Sequence, residues 1–387
     1  MGRNFRKKLF SVKKEINMIS NHLSKYLFIL LALLAVIFRN TQAINSMLIF
    51  FAVITLLVVA HELAHYFTAK LFRVKIIEAG IGFPPRVFGY KFKNIIYSIN
   101  LLPIGGFVKL LGEEASDDPD SLSQKSYLQR FIILVSGSVV NLILPILLFS
   151  VAFMIPHEIE VGNPQVTYVH ADSPASIAGI KEGDIIVAIN ERETGNIQTA
   201  VKLIRINLGK EINLKIKRSD ELINLRATPR WNSPASQGPT GIKIAAQYPF
   251  TEKISMGFIE ASQEGLRMTL DSWILFRNEI ITWFNGNSQP EFAGPVGIAN
   301  ITGEVAREGG VASLLSLTAI LSLNLGILNL LPLPMLDGGR ILLLFVELAR
   351  RGKKINPQKE ALFHLTGFFI FIFLAIIITI NDLLRVM

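Results

Sequence analysis

Between Met47 and Ala60 the chain reads MLIFFAVITLLVVA, fourteen residues without a charge, and the next five are HELAH. Further apolar runs recur along the chain, and residues of hydrophobic type make up 50% of it. In hydrocarbon every backbone N–H and C=O must find its partner within the protein, which leaves helices of roughly 20 apolar residues as the natural solution. The pattern predicts a polytopic α-helical membrane protein of about five spans and excludes an ordinary soluble enzyme. The first expected span, HLSKYLFILLALLAVIF, ends before Arg39; its basic flank resembles a secretory signal, but no small-x-small cleavage site and soluble domain follow, so it is read as an uncleaved span. The second starts at Met47 and carries HELAH. The others are expected at about Phe131 to Pro156, about Leu314 to Leu331 and about Leu362 to Ile380.

The net charge of +9 could suggest nucleic acid, but its distribution argues for membrane topology instead. Residues 157–310 hold 15 Lys+Arg against 18 Asp+Glu, a net of −3, so the remainder carries +12 beside the apolar runs. The first fifteen residues contain six Lys/Arg, which places the N-terminus in the cytoplasm by the positive-inside rule. The loop with Lys70, Arg73, Lys75, Arg86, Lys91, Lys93 and Lys109 and the segment ARRGKK (349–354) then fall inside, and 157–310 falls outside. From Met47 to His61 a helix rises about 21 Å, so His61 is expected within a core about 30 Å thick, nearer its cytoplasmic side.

Ionisable groups at that depth are costly and usually functional. On a helix His61 and His65 share one face, so both imidazoles can reach one ion. Glu62, beside them, is placed to take a proton from a metal-activated water and not to bind the metal. The chain has no cysteine, so a metal must be held by His, Asp or Glu. A catalytic zinc normally takes three protein ligands and keeps one position open. His22, His157 and His170 lie away from this depth, and His364 is expected to be packed or interfacial. The better third ligand is Asp337 in NLGILNLLPLPMLDGGRI (324–341), where Pro332 and Pro334 break the helix and Gly338 and Gly339 are expected to free the backbone. Irregular backbone and a lone carboxylate at membrane depth need a buried partner, and a cation fits. Another divalent ion in place of zinc remains open at this point.

After Pro164 the runs VTYVHADSP, IIVAIN, INLKIKRS and LINLRATP read as half-buried strands of a small β-rich domain. Residues 254–284 space apolar positions at helical intervals with Arg267, Asp271, Arg277 and Glu279 between them, which predicts an amphipathic helix on the outer membrane surface.

HELAH in an apolar segment, followed far downstream by NLLPLPMLDGG, resembles the site-2 protease family of intramembrane zinc metalloproteases. Residues 80–113 resemble the family's membrane-dipping β-hairpin and its Pro-x-Gly-Gly turn. Gly137 to Asn141 (GSVVN) is similar to its G-x-x-x-N motif, 173–190 to a single PDZ stretch, and FAGPVGIA (292–299) to the segment before the fourth span. The resemblance implies a fold of spans with a membrane-dipping β-hairpin and one inserted extracytoplasmic PDZ-like α+β domain. Together with the apolar runs it divides the chain into a membrane core (46–156), the PDZ-like domain (157–232), a surface helix and connector (233–310) and a second membrane core (311–387), preceded by a basic N-terminus plus an extra span (1–45) read from the residues alone. It implies Zn2+ on His61, His65 and Asp337, catalysis by Glu62, and substrate-positioning roles for Asn141 and Asn329. Its implied partners are a transmembrane protein substrate of the anti-sigma-factor or signal-peptide-remnant kind, a peptide ligand of the PDZ-like domain, and the lipid bilayer, with no nucleic acid. Its implied location is the bacterial inner membrane. Residues 1–45 gain nothing from the resemblance, and tandem PDZ domains of some relatives are absent. The competing readings are a catalytically silent scaffold that binds partners through the PDZ-like domain, and an anchored protease of soluble peptides; the intact HELAH and Asp337 weigh against the first, the depth of His61 against the second.

Overall fold

The computed structural model describes residues 41–113, 116–234, 236–285 and 294–386. The span expected before Arg39 lies outside the described residues. Helix α1 (Thr41–Leu71) leads into two long strands, β1 (Ile76–Phe92) and β2 (Ile95–Leu110), and then α2 (Tyr127–Met154). A sheet unit follows: β3 (His157–Val169), the single turn α3 (Pro174–Ile177), β4 (Ile185–Ile189), β5 (Arg192–Glu193), α4 (Ile197–Ile206), β6 (Ile212–Arg218), β7 (Glu221–Ala227) and β8 (Ile242–Ile254). Helices α5 (Phe258–Asn285), α6 (Pro295–Glu308), α7 (Gly310–Leu330), α8 (Asp337–Ala349) and α9 (Pro357–Val386) end the chain.

Among the described residues α1, α2, α7 and α9 are long and apolar enough to cross a membrane. The outward faces agree: on α9, Phe368, Phe369, Ile370, Phe371, Ile372 and Phe373 are all exposed, a continuous apolar surface that suits lipid and not water. Helices in lipid gain little from hydrophobic burial against each other, so small residues that let backbones approach matter more. Gly326 of α7 packs on the Ser138 carbonyl of α2, where a Cβ would come within 3.0 Å. Ser322 of α7 donates to the Asn141 carbonyl at 2.9 Å. Val53 and Leu57 of α1, Leu148 and Phe149 of α2 and Ala319 of α7 close the buried centre. Helix α2 starts four residues earlier than expected because Ser126 and Gln129 form a capping box: Ser126 Oγ accepts from the Gln129 N–H, and Gln129 Oε1 accepts from the Ser126 N–H at 3.1 Å.

Strands β1 and β2 meet at Lys93 and Asn94, both with positive φ (45° and 66°), which suits a tight turn matched to strand twist. Both strands also fold back. Residues 78–81 pair with 106–109 on one side and with 96–99 on the other. Pro103, Gly105 and Gly106, expected as a turn after the paired strands, lie within β2. The reason is that Gly105, at φ 74°, bends the strand without ending it.

The sheet unit has strand order β7-β6-β4-β3-β8, with β5 on β4. Its core is Val166, Ile186, Ile189, Leu203, Ile212, Leu214 and Ile216. In β6 burial alternates strictly, as the INLKIKR pattern requires of a strand with one face on the core. The outer strand β8 falls inside 233–310, the stretch expected as surface helix and connector. Tyr248 (φ 51°) and Pro249 interrupt its alternation, and an edge position is where a sheet tolerates proline. The charges of α5 are also placed differently from expectation. Asp271 is buried and takes Arg192 at 2.7 and 3.0 Å, while Asn278 donates to the Arg205 carbonyl at 2.7 Å. Near its N-terminal end, Gly265 packs against the Ile146 carbonyl of α2. Helix α5 therefore clamps the sheet unit to the membrane helices.

Asp184 ties the turn before β4 to β6. Arg218 Nε and Nη2 donate to its two oxygens at 2.7 and 2.9 Å, and the Lys181 N–H donates at 2.8 Å. Burial pushes the Asp184 carboxyl up, but the Arg218 guanidinium and the Lys181 N–H more than offset this and hold it below the usual carboxylate range. Because the folded value is depressed, this stabilisation is full above the unfolded value of about 3.9 and is lost as pH falls through the lower folded value. Asp184→Asn should cost about 1.5–3 kcal/mol at neutral pH, the scale of hydrogen bonds to a charged group. The deficit relative to wild type should shrink below about pH 4 in thermal melts. An equal deficit at pH 7 and pH 3 would show that the ion pair is not its source.

Candidate active site

Helix α1 presents His61 and His65 one turn apart, with 5% and 8% of their surfaces exposed. Asp337 opens α8, a different element more than 270 residues away. The three side chains converge. His61 Nε2 lies 2.9 Å from Asp337 Oδ2 and 3.1 Å from His65 Nε2, and His65 Nε2 lies 3.2 Å from Asp337 Oδ2. Three ligands at tetrahedral angles and bonds of about 2.0–2.1 Å would be roughly 3.3 Å apart, so the spacing fits one small ion. The floor of the site is Gly137 of α2: a Cβ there would stand 2.5 Å from both Nε2 atoms. Only the missing side chain leaves a space where the three donors meet. Among the described residues this is the group able to hold a metal.

The rear of each imidazole is also engaged by α2. His65 Nδ1 donates to the Ile133 carbonyl at 2.8 Å, and Ser136 Oγ, 3.4 Å from that nitrogen, donates to the same carbonyl at 2.8 Å. His61 Nδ1 faces the side-chain amide of Asn141 at 3.4 Å. Asn141 is fully buried and lies on the Nδ1 side of the His61 ring, away from the Nε2 atom that meets His65 and Asp337. Asn329 is half-buried in the last turn of α7, and no hydrogen bond joins it to the trio among the described residues.

The loop that delivers Asp337 is pinned from several sides. Helix α7 stops at Leu330, and Pro332 and Pro334 follow, as expected of residues that cannot continue a helix. Met335 takes a positive φ of 79°, and its N–H donates to His364 Nδ1 of α9 at 2.9 Å. His364 is thus a packed residue behind the loop and no member of the trio. Gly338 and Gly339 do not free the backbone as expected; both are helical, in the first turn of α8. A Cβ on Gly338 would overlap the Leu331 carbonyl and one on Gly339 the Leu333 carbonyl, so the glycines allow α8 to sit directly on the loop.

Glu62 points to β2 and not to the metal space. It is half-buried, its Cγ would be 3.9 Å from a Cβ on Gly106, and the Val108 backbone amide lies beside its carboxylate. His65, His61 and Asp337 act on it electrostatically without hydrogen bonding to it. The carboxylate therefore stands beside the trio without joining it. Ile133 and Ser136 carry no motif in the sequence, and Gly137 enters it only as the first residue of GSVVN. The four-residue spacing of Ile133, Gly137 and Asn141, one helical face, is the signal that could have extended GSVVN back to Ile133; Ser136 lies off that row.

Two histidines and an aspartate around one gap, with a carboxylate at their side, on and between helices apolar enough to cross a membrane, define a metallopeptidase centre of a membrane protein. The chain belongs to peptidase family M50, whose profile matches residues 49–374 and so takes in His61, Glu62, His65 and Asp337. A protein of Clostridium acetobutylicum, provisionally named a zinc metalloprotease, is 34% identical, with 84% of this chain and 94% of that one aligned. The zinc metalloprotease RasP of Geobacillus kaustophilus is 29% identical over 88% of this chain and 98% of its own. The regulator of sigma-W protease RasP of Bacillus subtilis is 27% identical over 88% and 99%. The family and the fit of the trio make this chain a zinc metalloprotease of the site-2 type in a membrane.

Proposed function

We propose that the protein cleaves transmembrane segments of other membrane proteins, with His61, His65 and Asp337 as zinc ligands and Glu62 as the general base. The observation that carries this is the convergence of three ligand atoms over Gly137, beside Glu62, inside apolar spanning helices. Zinc, when bound, would polarise the attacking water and the scissile carbonyl. Glu62 takes the proton from that water on a carboxylate oxygen and delivers it to the nitrogen of the leaving amine. His61 and His65, each fixed from behind by α2, keep their Nε2 atoms turned to the centre.

A helical substrate hides its carbonyls in its own hydrogen bonds, so it must unwind before attack. Residues 106–109 of β2 pair with 78–81 on one side while Gly106 and Val108 face Glu62, which supports capture of the unwound segment by strand addition. The exposed Val87, Phe88, Tyr90 and Phe92 of β1 support a sheet that dips into lipid. In the same way Ile259, Leu266, Leu270 and Trp273 form one exposed stripe of α5 that supports contact with the outer membrane surface. Asn329, at the end of α7, is a candidate for positioning the substrate. The PDZ reading of the sheet unit rests on its edge strand β8 and helix α4, which suit an extended peptide ligand. One relative is named as a regulator of sigma-W, which supports substrates of the anti-sigma-factor kind; signal-peptide remnants are the other candidate class.

The Lys/Arg bias supports an orientation with the sheet unit outside the cytoplasm and the zinc site nearer the cytoplasmic side of a bacterial inner membrane. A reporter fused after Asn163 should be found outside and one fused after Lys354 inside, as the Lys/Arg bias demands. The opposite result at either point breaks this orientation. The activity itself is tested with purified protein and a tagged single-span substrate in liposomes: cleavage should stop with a chelator and return with zinc. A protein that binds peptides through the sheet unit yet cuts no span would be the scaffold instead.

A further inference from the structure

Three residues of α2 stand in one row, four apart, against the two histidines of α1. Ile133 offers a carbonyl to His65, Gly137 leaves the gap, and Asn141 meets His61. The Ile133 carbonyl can only accept, so His65 carries its proton on Nδ1 and keeps the Nε2 lone pair for a metal. His61 needs the same tautomer, because its Nε2 is the atom that meets His65 Nε2 at 3.1 Å and Asp337 Oδ2 at 2.9 Å. Its Nδ1 is then a buried N–H that requires an acceptor, and the polar group facing it is the Asn141 amide.

With the amide nitrogen toward the ring, N–H opposes N–H and Asn141 Oδ1 is left buried without a partner. The nitrogen and oxygen of an amide have nearly the same shape, and the hydrogen-bond network decides between them. Half a turn of the amide sets Oδ1 against the His61 N–H, gains one pairing and removes the opposed N–H groups. Asn141 is fully buried, and its backbone carbonyl is anchored by Ser322 at 2.9 Å, so the side chain has a fixed origin.

We propose that Asn141 is the positioning residue of His61: its Oδ1 accepts from Nδ1–H, fixes the tautomer and turns Nε2 to the zinc, the task that the Ile133 carbonyl performs for His65. This rests on the zinc reading of the trio. It assigns Asn141 to the metal site and takes it away from the substrate and the developing oxyanion.

The test is zinc affinity of the full-length protein in detergent, by competition with a chromophoric chelator, for wild type, Asn141→Leu and Asn141→Asp. Asn141→Leu keeps the volume and loses the acceptor, and should bind zinc about 10–100-fold more weakly, the usual loss when a partner behind a metal-bound histidine is removed. Asn141→Asp keeps the acceptor and should hold zinc at least as tightly as wild type and still cleave. A substrate or oxyanion contact predicts the reverse, with zinc affinity unchanged in both and turnover lost in the Asp variant, where a carboxylate would repel the developing charge. Wild-type zinc affinity in Asn141→Leu overturns the proposal. If that variant does not fold, an Asp variant that holds zinc but no longer cleaves overturns it equally. Failure of the wild type to bind zinc removes the zinc reading itself, an outcome distinct from all of these.

Discussion

Glu62→Gln should lower turnover by about 10²–10⁴-fold, the usual contribution of general acid–base catalysis, while zinc content and fold stay as in wild type. Glutamine matches glutamate in size, so the contacts of this side chain with Gly106 and the Val108 amide on β2 have no reason to change. What disappears is the basic oxygen. The carboxylate is not one of the converging donors, which are His61 Nε2, His65 Nε2 and Asp337 Oδ2, so metal content should not follow it. The uncut substrate should accumulate. Measured by single-turnover cleavage with zinc determined on the same sample, a Gln variant at wild-type rate would remove Glu62 from the chemistry. A Gln variant that has lost its zinc would make it a ligand.

The second large effect is on metal. Wild type should hold about one zinc per chain, and His65→Ala or Asp337→Ala should each retain less than about a tenth of it after dialysis, since two remaining donors seldom hold zinc. The two variants differ in kind. His65→Ala empties a position on helix α1, whereas Asp337→Ala leaves both imidazoles in place beside Ile133 and Asn141. If Asp337→Ala keeps full zinc by elemental analysis, the third ligand lies elsewhere.

Much of this architecture was legible because a membrane leaves few options. The described spans α1, α2, α7 and α9 all fall on the apolar runs, with ends displaced by a few residues where caps such as Ser126–Gln129 extend a helix into polar sequence. His61, Glu62 and His65 stood out as ionisable groups in an apolar helix, and Asp337 as a lone carboxylate after Pro332 and Pro334. The contributions of α2 were not legible in the same way. A carbonyl at Ile133 carries no signature in the residue name, and Gly137 acts through an atom it lacks. Gly338 and Gly339 invited a reading of loose backbone, while their use is close approach, which depends on what packs against them. The fold-back of β1 and β2 and the edge strand β8 were hidden for a related reason. Positive-φ residues and Pro249 break the alternation that marks a strand, although hydrogen bonds to a neighbour carry the strand through.

A cut made within a membrane segment at a zinc centre leaves its mark on the products. The most direct measurement is mass spectrometry of the products from a single-span substrate reconstituted with the purified protein in liposomes. New termini should lie inside the apolar segment, absent with Glu62→Gln and absent with a chelator. New termini only in the water-exposed tails of the substrate, or intramembrane cuts that persist with Glu62→Gln, would contradict it.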